Sequence, residues 1–183
     1  MPIGDPGGET VSNAVLSVSG SNAIVDWILV ELRSVSNPSQ ILATRRALIQ
    51  RDGDIVNASD GSTAVRFNTV TPGYYNVAVK HRNHLGIMSS APVYLSSCSA
   101  NAVLDLTTSA PVYTIASIPN TPRKVYSNMY AMWSADANYN KNVKYNGTST
   151  DKDQIAAAVG LGTLNSSIEN VYRAEDVNLD GKI

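Results

Sequence analysis

From Ser12 to Thr108 the apolar residues come in short runs separated by turn signals. Ala14 to Ser19 alternates apolar and polar positions, which predicts a strand with one buried face. Ala23 to Leu32 is dense in Ile, Val, Trp and Leu, as a central strand requires. Asn37-Pro38-Ser39 turns the chain, Ile41 to Ile49 is a further run, and Asp52-Gly53 is a tight hairpin signal. Ile55-Val56 and Ala64 to Phe67 follow, then a turn at Thr71-Pro72-Gly73. Tyr74 to His81 alternates, with Tyr75, Val77 and Val79 on one face and Asn76, Ala78 and Lys80 on the other. Ala91 to Leu95 and Ala102 to Leu106 complete a set of seven or eight strands. Strands of this length and spacing, with no convincing helix among them, predict an antiparallel β-sandwich over residues 12–108.

The pattern then changes. Residues 109–125 are a connector punctuated by Pro111, Pro119 and Pro122, as residues 1–11 are a Gly- and Pro-rich leader. Val125 to Trp133 is rich in aromatic residues and Met. Asp151 to Val159 predicts a helix stopped by Gly160, and Asn165 to Arg173 a second one with Asn165 as N-cap. Around these helices lie two stretches with an oxygen-bearing side chain at every second position. One is Asp136-Ala137-Asn138-Tyr139-Asn140-Lys141-Asn142-Val143; the other is Asp176-Val177-Asn178-Leu179-Asp180-Gly181-Lys182-Ile183. A hard cation such as calcium needs such spacing: alternate residues of a curled loop point inward and a glycine takes the sharp turn. The alternative is an Asx-rich turn with no ion. The order loop, helix, connector, helix, loop is that of a paired calcium hand.

These loops resemble dockerin repeats. Met132-Trp133-Ser134-Ala135-Asp136-Ala137-Asn138, Val143-Lys144-Tyr145-Asn146-Gly147 and Thr150-Asp151-Lys152-Asp153 resemble the dockerin-like module near the C-termini of large secreted proteins of Bacteroidetes-type bacteria. Val25 to Arg33, Gln50 to Asp54 and Val79 to Gly86 fit the same source. The Phe67 to Val79 run resembles Greek-key modules of the transthyretin-like or carboxypeptidase-regulatory type. Together the resemblance implies an Ig-like or transthyretin-like β-sandwich followed by a small α domain with calcium loops, residues 126–183. It implies no activity.

The expected ligands in the second loop are the side chains of Asp176, Asn178 and Asp180 and the carbonyl of Lys182. In the first they are Asp136, Asn138 and Asn140 with the carbonyl of Asn142, closed by Asp151 or, in its place, Asp153. Relative to the dockerin spacing, Tyr145 to Thr150 is an insertion before that carboxylate. Asn140 removes a charge and Lys141 occupies the glycine position, so the first loop is expected to bind more weakly. The second has the better local sequence but ends before a closing ligand, which reads as a truncated hand in a fragment of a longer chain. The metal is expected to be structural, coupling binding to folding.

Composition narrows the function. The net charge is -1 with 16% charged residues, so a nucleic-acid surface is not expected. No apolar run reaches membrane-spanning length, and Met1 to Glu9, with no basic n-region or apolar h-region, does not read as a signal peptide. Cys98 is the single cysteine, so stability must come from packing and metal. No nucleophile elbow, zinc-protease helix or phosphate loop is present, so no enzyme activity is expected. His81 and His84 are half a transition-metal site at most, set against a polar strand end and loop. Trp27 reads as core, and Trp133 and Tyr130 as inter-domain packing rather than a carbohydrate platform. Asn57-Ala58-Ser59, Asn146-Gly147-Thr148 and Asn165-Ser166-Ser167 match a glycosylation acceptor pattern that chance often supplies.

The function expected is that of a non-catalytic, calcium-stabilised structural or adhesion module of a secreted or cell-surface protein. The alternatives are a self-assembling subunit of an extracellular fibre and an accessory, anchoring region of a surface glycan-degrading enzyme. The expected partners are other protein modules or copies of the same chain, with carbohydrate left open.

Overall fold

The computed structural model describes residues 8–96, 102–108, 110–114, 121–160 and 166–183. The protein is mainly β, and its sheets are antiparallel, an arrangement consistent with a β-sandwich. Strands β1 (Ile24–Arg33), β2 (Ile41–Gln50), β3 (Ile55–Asn57), β4 (Gly73–His81), β5 (His84–Met88) and β6 (Val93–Leu95) form one sheet in the order β3-β2-β1-β4-β5. The strand β6 pairs with the first half of β4, and β5 with its second half. A hairpin of β7 (Arg123–Tyr126) and β8 (Met129–Met132) stands apart from it. The run expected as the central strand is indeed central, since β1 carries β2 on one side and β4 on the other.

The faces of β1 explain where the core lies. Ile28 and Val30 point to one side and pack with Ala47, Val79 and Ile87. Val65, Phe67, Leu106 and Met132 cover this cluster from outside the sheet. On the other side Trp27 joins Leu48, Val56, Ala58 and Val15. That second face also buries Glu31, whose carboxylate meets Lys80 Nζ at 2.6 Å and the Arg33 guanidinium at 2.5 Å.

Four expected elements differ from the structure. Ala14 to Ser19 is no strand: Asn13–Leu16 forms a short helix, α1, capped by the Ser12 hydroxyl, which accepts from the Val15 N–H. Its alternating residues Leu16 and Val18 are exposed, and only Val15 is buried. Ala64 to Phe67 and Ala102 to Leu106 are not strands either. Val65, Phe67 and Leu106 contribute side chains to the core, while backbone pairing among the described residues is limited to a bridge between Val56 and Ala64. The helix expected over Asn165 to Arg173 is absent from its described part, residues 166–173; Asn165 itself lies outside the described residues. Ile168 instead exchanges two backbone hydrogen bonds of 3.0 Å with Ile183, and Val171 N–H donates to the Gly181 carbonyl. Asn170 sits at φ 57, which no helix accepts. The β-branched Ile168 and Val171 favour this pairing over a helix.

The expected helix at Asp151 is present as α2 (Asp151–Val159), with Thr150 as N-cap and Gly160 at φ 91 ending it. The order of elements from residue 136 onward is therefore loop, helix, extended clasp, loop. Cys98 and Pro119 lie outside the described residues.

Candidate metal centre

The two loops have the same backbone shape. Counting from the first Asp of each, the fourth residue is left-handed (Tyr139 φ 59, Leu179 φ 64), and so is the sixth (Lys141 φ 65, Gly181 φ 82). Asx turns produce this curl. In the first loop Asn138 Oδ1 accepts from Asn140 N–H at 3.0 Å and Asn140 Oδ1 from Asn142 N–H at 2.9 Å. In the second, Asn178 Oδ1 accepts from Asp180 N–H at 3.3 Å and Asp180 Oδ1 from Lys182 N–H at 2.9 Å. The leading carboxylates bind the sixth residue in the same way: Asp136 Oδ2 accepts from Lys141 N–H and Asp176 Oδ2 from Gly181 N–H. Sequence alone supplied the glycine at one of these positions. At the other, Lys141 adopts a left-handed conformation that costs a non-glycine residue about 1 kcal/mol. Lys141→Gly is expected to stabilise the protein by about 0.5–1 kcal/mol in a denaturant titration.

The loops differ in what their carboxylates have left to offer. Asp176 is buried, and both oxygens are engaged: Oδ1 accepts from Asp180 N–H at 3.1 Å, and Oδ2 also meets Arg82 Nη2 at 3.3 Å. Asp136 is 6% exposed, and its Oδ1 has no hydrogen-bond partner among the described residues. Burial, and after it the charge of Asp151, raises the Asp136 carboxyl above the usual range. Asp151 staples the first loop from the start of α2. Its Oδ1 accepts from Ala137 N–H at 2.9 Å and its Oδ2 from Lys144 N–H at 2.7 Å. Oδ1 also accepts from Asn138 N–H at 3.4 Å, so Oδ2, with its second lone pair, is the atom that could close a coordination shell. Asp153 lies two residues further on, where it lines an open depression of about 370 Å³ with Asn138, Asn140, Ser149, Thr150 and Gln154. Among the described residues no three Asp, Glu, His or Cys side chains converge as a metal group. Any ion in the first loop would therefore rest on a mixed set of carboxylate, amide and carbonyl oxygens.

Both loops hang on the tip between β4 and β5, which sequence reasoning missed. The Asn83 carbonyl accepts from the N–H groups of Ala135 and Asp136, at 2.8 and 3.1 Å. Its side chain turns to the other loop, Nδ2 donating to the Asp176 carbonyl at 2.6 Å. Arg82 is buried beside it, bonded to Asp176, to the Arg173 carbonyl and, through Nε at 2.9 Å, to Asp26 Oδ2. Tyr172 lies under the guanidinium at 4.4 Å and donates its hydroxyl to Asp26 Oδ1 at 2.7 Å. Burial alone would raise the Asp26 carboxyl, but hydrogen bonds from His81, Tyr172, Arg82 and the Trp27 N–H outweigh it and hold it well below the carboxylate range. The one signal available in the sequence was Asp26 itself, a charge inside the most apolar run of the chain. A buried carboxylate requires buried partners, but the sequence does not say which.

Residues of the connector expected at 109–125 make contacts with the chain on either side of it. Arg123 lies in β7 and is buried, donating to the carbonyls of Leu106, Thr108 and Ala110. Trp133 is partly exposed, its indole N–H on the Thr121 carbonyl, with Lys124 over the ring. Tyr130 stacks under Arg123 at 4.2 Å. His84 pairs with Ser134 in a β-bridge, and the Trp133 carbonyl accepts from Leu85 N–H.

Comparison with protein families, with curated proteins and with solved structures gave no match to this chain. Among the described residues no helix is long and apolar enough to cross a membrane.

Proposed function

We propose that the chain is a calcium-stabilised structural module, in which an ion in the Asp136 loop fastens the C-terminal segment to the β body. The observation that carries this reading is the buried, unpartnered Asp136 Oδ1 beside Asp151. Two carboxylates lie out of water here, and the charge of Lys141 offsets Asp136 less than burial and Asp151 disfavour it. A hard divalent cation supplies further positive charge and takes oxygen ligands alone. Asp136, Asn138 and Asn140 would hold it, with the Asn142 carbonyl and Asp151. In this reading the body is an Ig-like or transthyretin-like sandwich and the tail a dockerin-like unit whose second loop follows the first in shape. The module would be non-catalytic, part of a secreted or cell-surface protein, and its partners other modules or further copies.

The test is thermal unfolding with and without calcium. A hundredfold excess over the dissociation constant should add about 2.7 kcal/mol, seen as a rise in Tm. Asp136→Asn removes the unpaired charge and should leave the calcium-free protein as stable as wild type or more so, while abolishing the response. A wild-type melting curve indifferent to saturating calcium would sink the proposal.

A further inference from the structure

Independently of the calcium loops, we propose that His81, Asn83 and His84 form a site for a six-coordinate or tetragonal transition ion such as Ni2+ or Cu2+. The observation is a triangle of side-chain nitrogen and oxygen atoms. His81 Nδ1 and His84 Nδ1 are 2.8 Å apart, and Asn83 Oδ1 lies 3.0 Å from the first and 2.8 Å from the second. The orientation of each group is fixed from outside the triangle. Asn83 Nδ2 donates to the Asp176 carbonyl, so its oxygen is the atom that faces the rings. His81 Nε2 lies 3.0 Å from Asp26 Oδ2, and an ionised carboxylate only accepts, so that nitrogen carries a proton. A metal-ligating His81 that donates through Nε2 would present Nδ1 as its ligand atom. His81 Nδ1, His84 Nδ1 and Asn83 Oδ1 thus form a compact triangle of candidate ligand atoms.

A metal ion fits this arrangement. Ligands at right angles, each about 2.0–2.1 Å from a metal, lie roughly 2.9 Å apart; tetrahedral ligands lie roughly 3.4 Å apart. The observed 2.8–3.0 Å spacing is that of one face of an octahedron, which favours Ni2+ or Cu2+ over Zn2+. Calcium is excluded by the nitrogens. The outer contacts also fit, because a ligating histidine characteristically donates its other N–H to a carboxylate, as His81 does to Asp26. Asn83 is fully buried and His81 is 8% exposed, while His84 is half-buried; water would complete the shell.

The experiment uses the whole chain, stripped of metal and returned to saturating Ca2+ so that the oxygen loops do not compete. Titration with Ni2+ is followed by calorimetry and by X-ray absorption at the nickel edge. The expected result is one ion per chain, two imidazole ligands in the absorption spectrum, and at least a tenfold loss of affinity in His84→Gln. Should that variant unfold, the wild-type spectrum decides alone: a shell without imidazole overturns the proposal. So does failure of the wild type to bind Ni2+, which would leave a shared proton as the occupant of the triangle. Binding unchanged in a folded His84→Gln protein would also overturn it.

Discussion

Arg82→Ala is expected to destabilise the protein by about 3–5 kcal/mol, the largest effect of any single side chain outside the apolar core. The guanidinium is 3% exposed and holds Asp26, Asp176 and the Arg173 carbonyl at once. Removing it leaves two buried carboxylates without their cation, and it removes the face on which Tyr172 stacks. Arg82→Lys should recover little of the loss, because one ammonium cannot reproduce a planar fork aimed at three acceptors. Chemical denaturation measures the cost. Combining Arg82→Ala with Asp26→Asn should cost less than the sum of the two single changes, since the second removes the charge the first strands. Strict additivity would mean that the contact contributes nothing as a pair.

Asn83→Ala is expected to cost about 2–3 kcal/mol, and to do so unevenly. The side chain is fully buried, and its Nδ2 is the bond that ties the Asp176 carbonyl to the β4–β5 tip. The Asn83 backbone carbonyl, which alanine retains, holds Ala135 and Asp136. The second loop should therefore loosen while the first stays docked. Hydrogen exchange reads this directly: amides of residues 166–183 should lose protection well before those of 134–151. Equal loss in both segments would show that the tip does not hold the two loops separately.

The fold was largely legible because strand formation follows local pattern. β1, β2 and β4 carry runs of branched or alternating residues long enough that no other element satisfies them. Asp151–Val159 was legible as a helix because its cap, its three alanines and its stop are all local. The failures share a cause. In Ala14 to Ser19 the alternation faces water, and periodicity cannot report which side has a neighbour. In Ile168 to Val171 the deciding contact is with residues 181–183, brought back by the second loop itself.

The candidate metal residues divide in the same way. Sequence by itself determined the curl of both loops, because Asx side chains bond backbone N–H groups two residues on, wherever the chain lies. It also determined the central sheet, because burial on both faces demands continuous apolar runs. Only the tertiary structure decided which carboxylate receives a buried cation. Asp136 and Asp176 occupy equivalent positions in nearly equivalent loops, yet Asp176 Oδ2 meets the Arg82 guanidinium, while burial and the charge of Asp151 hold the Asp136 carboxyl above its usual range. That difference comes from a guanidinium 94 residues away in the chain, and no local pattern records a contact at such a separation.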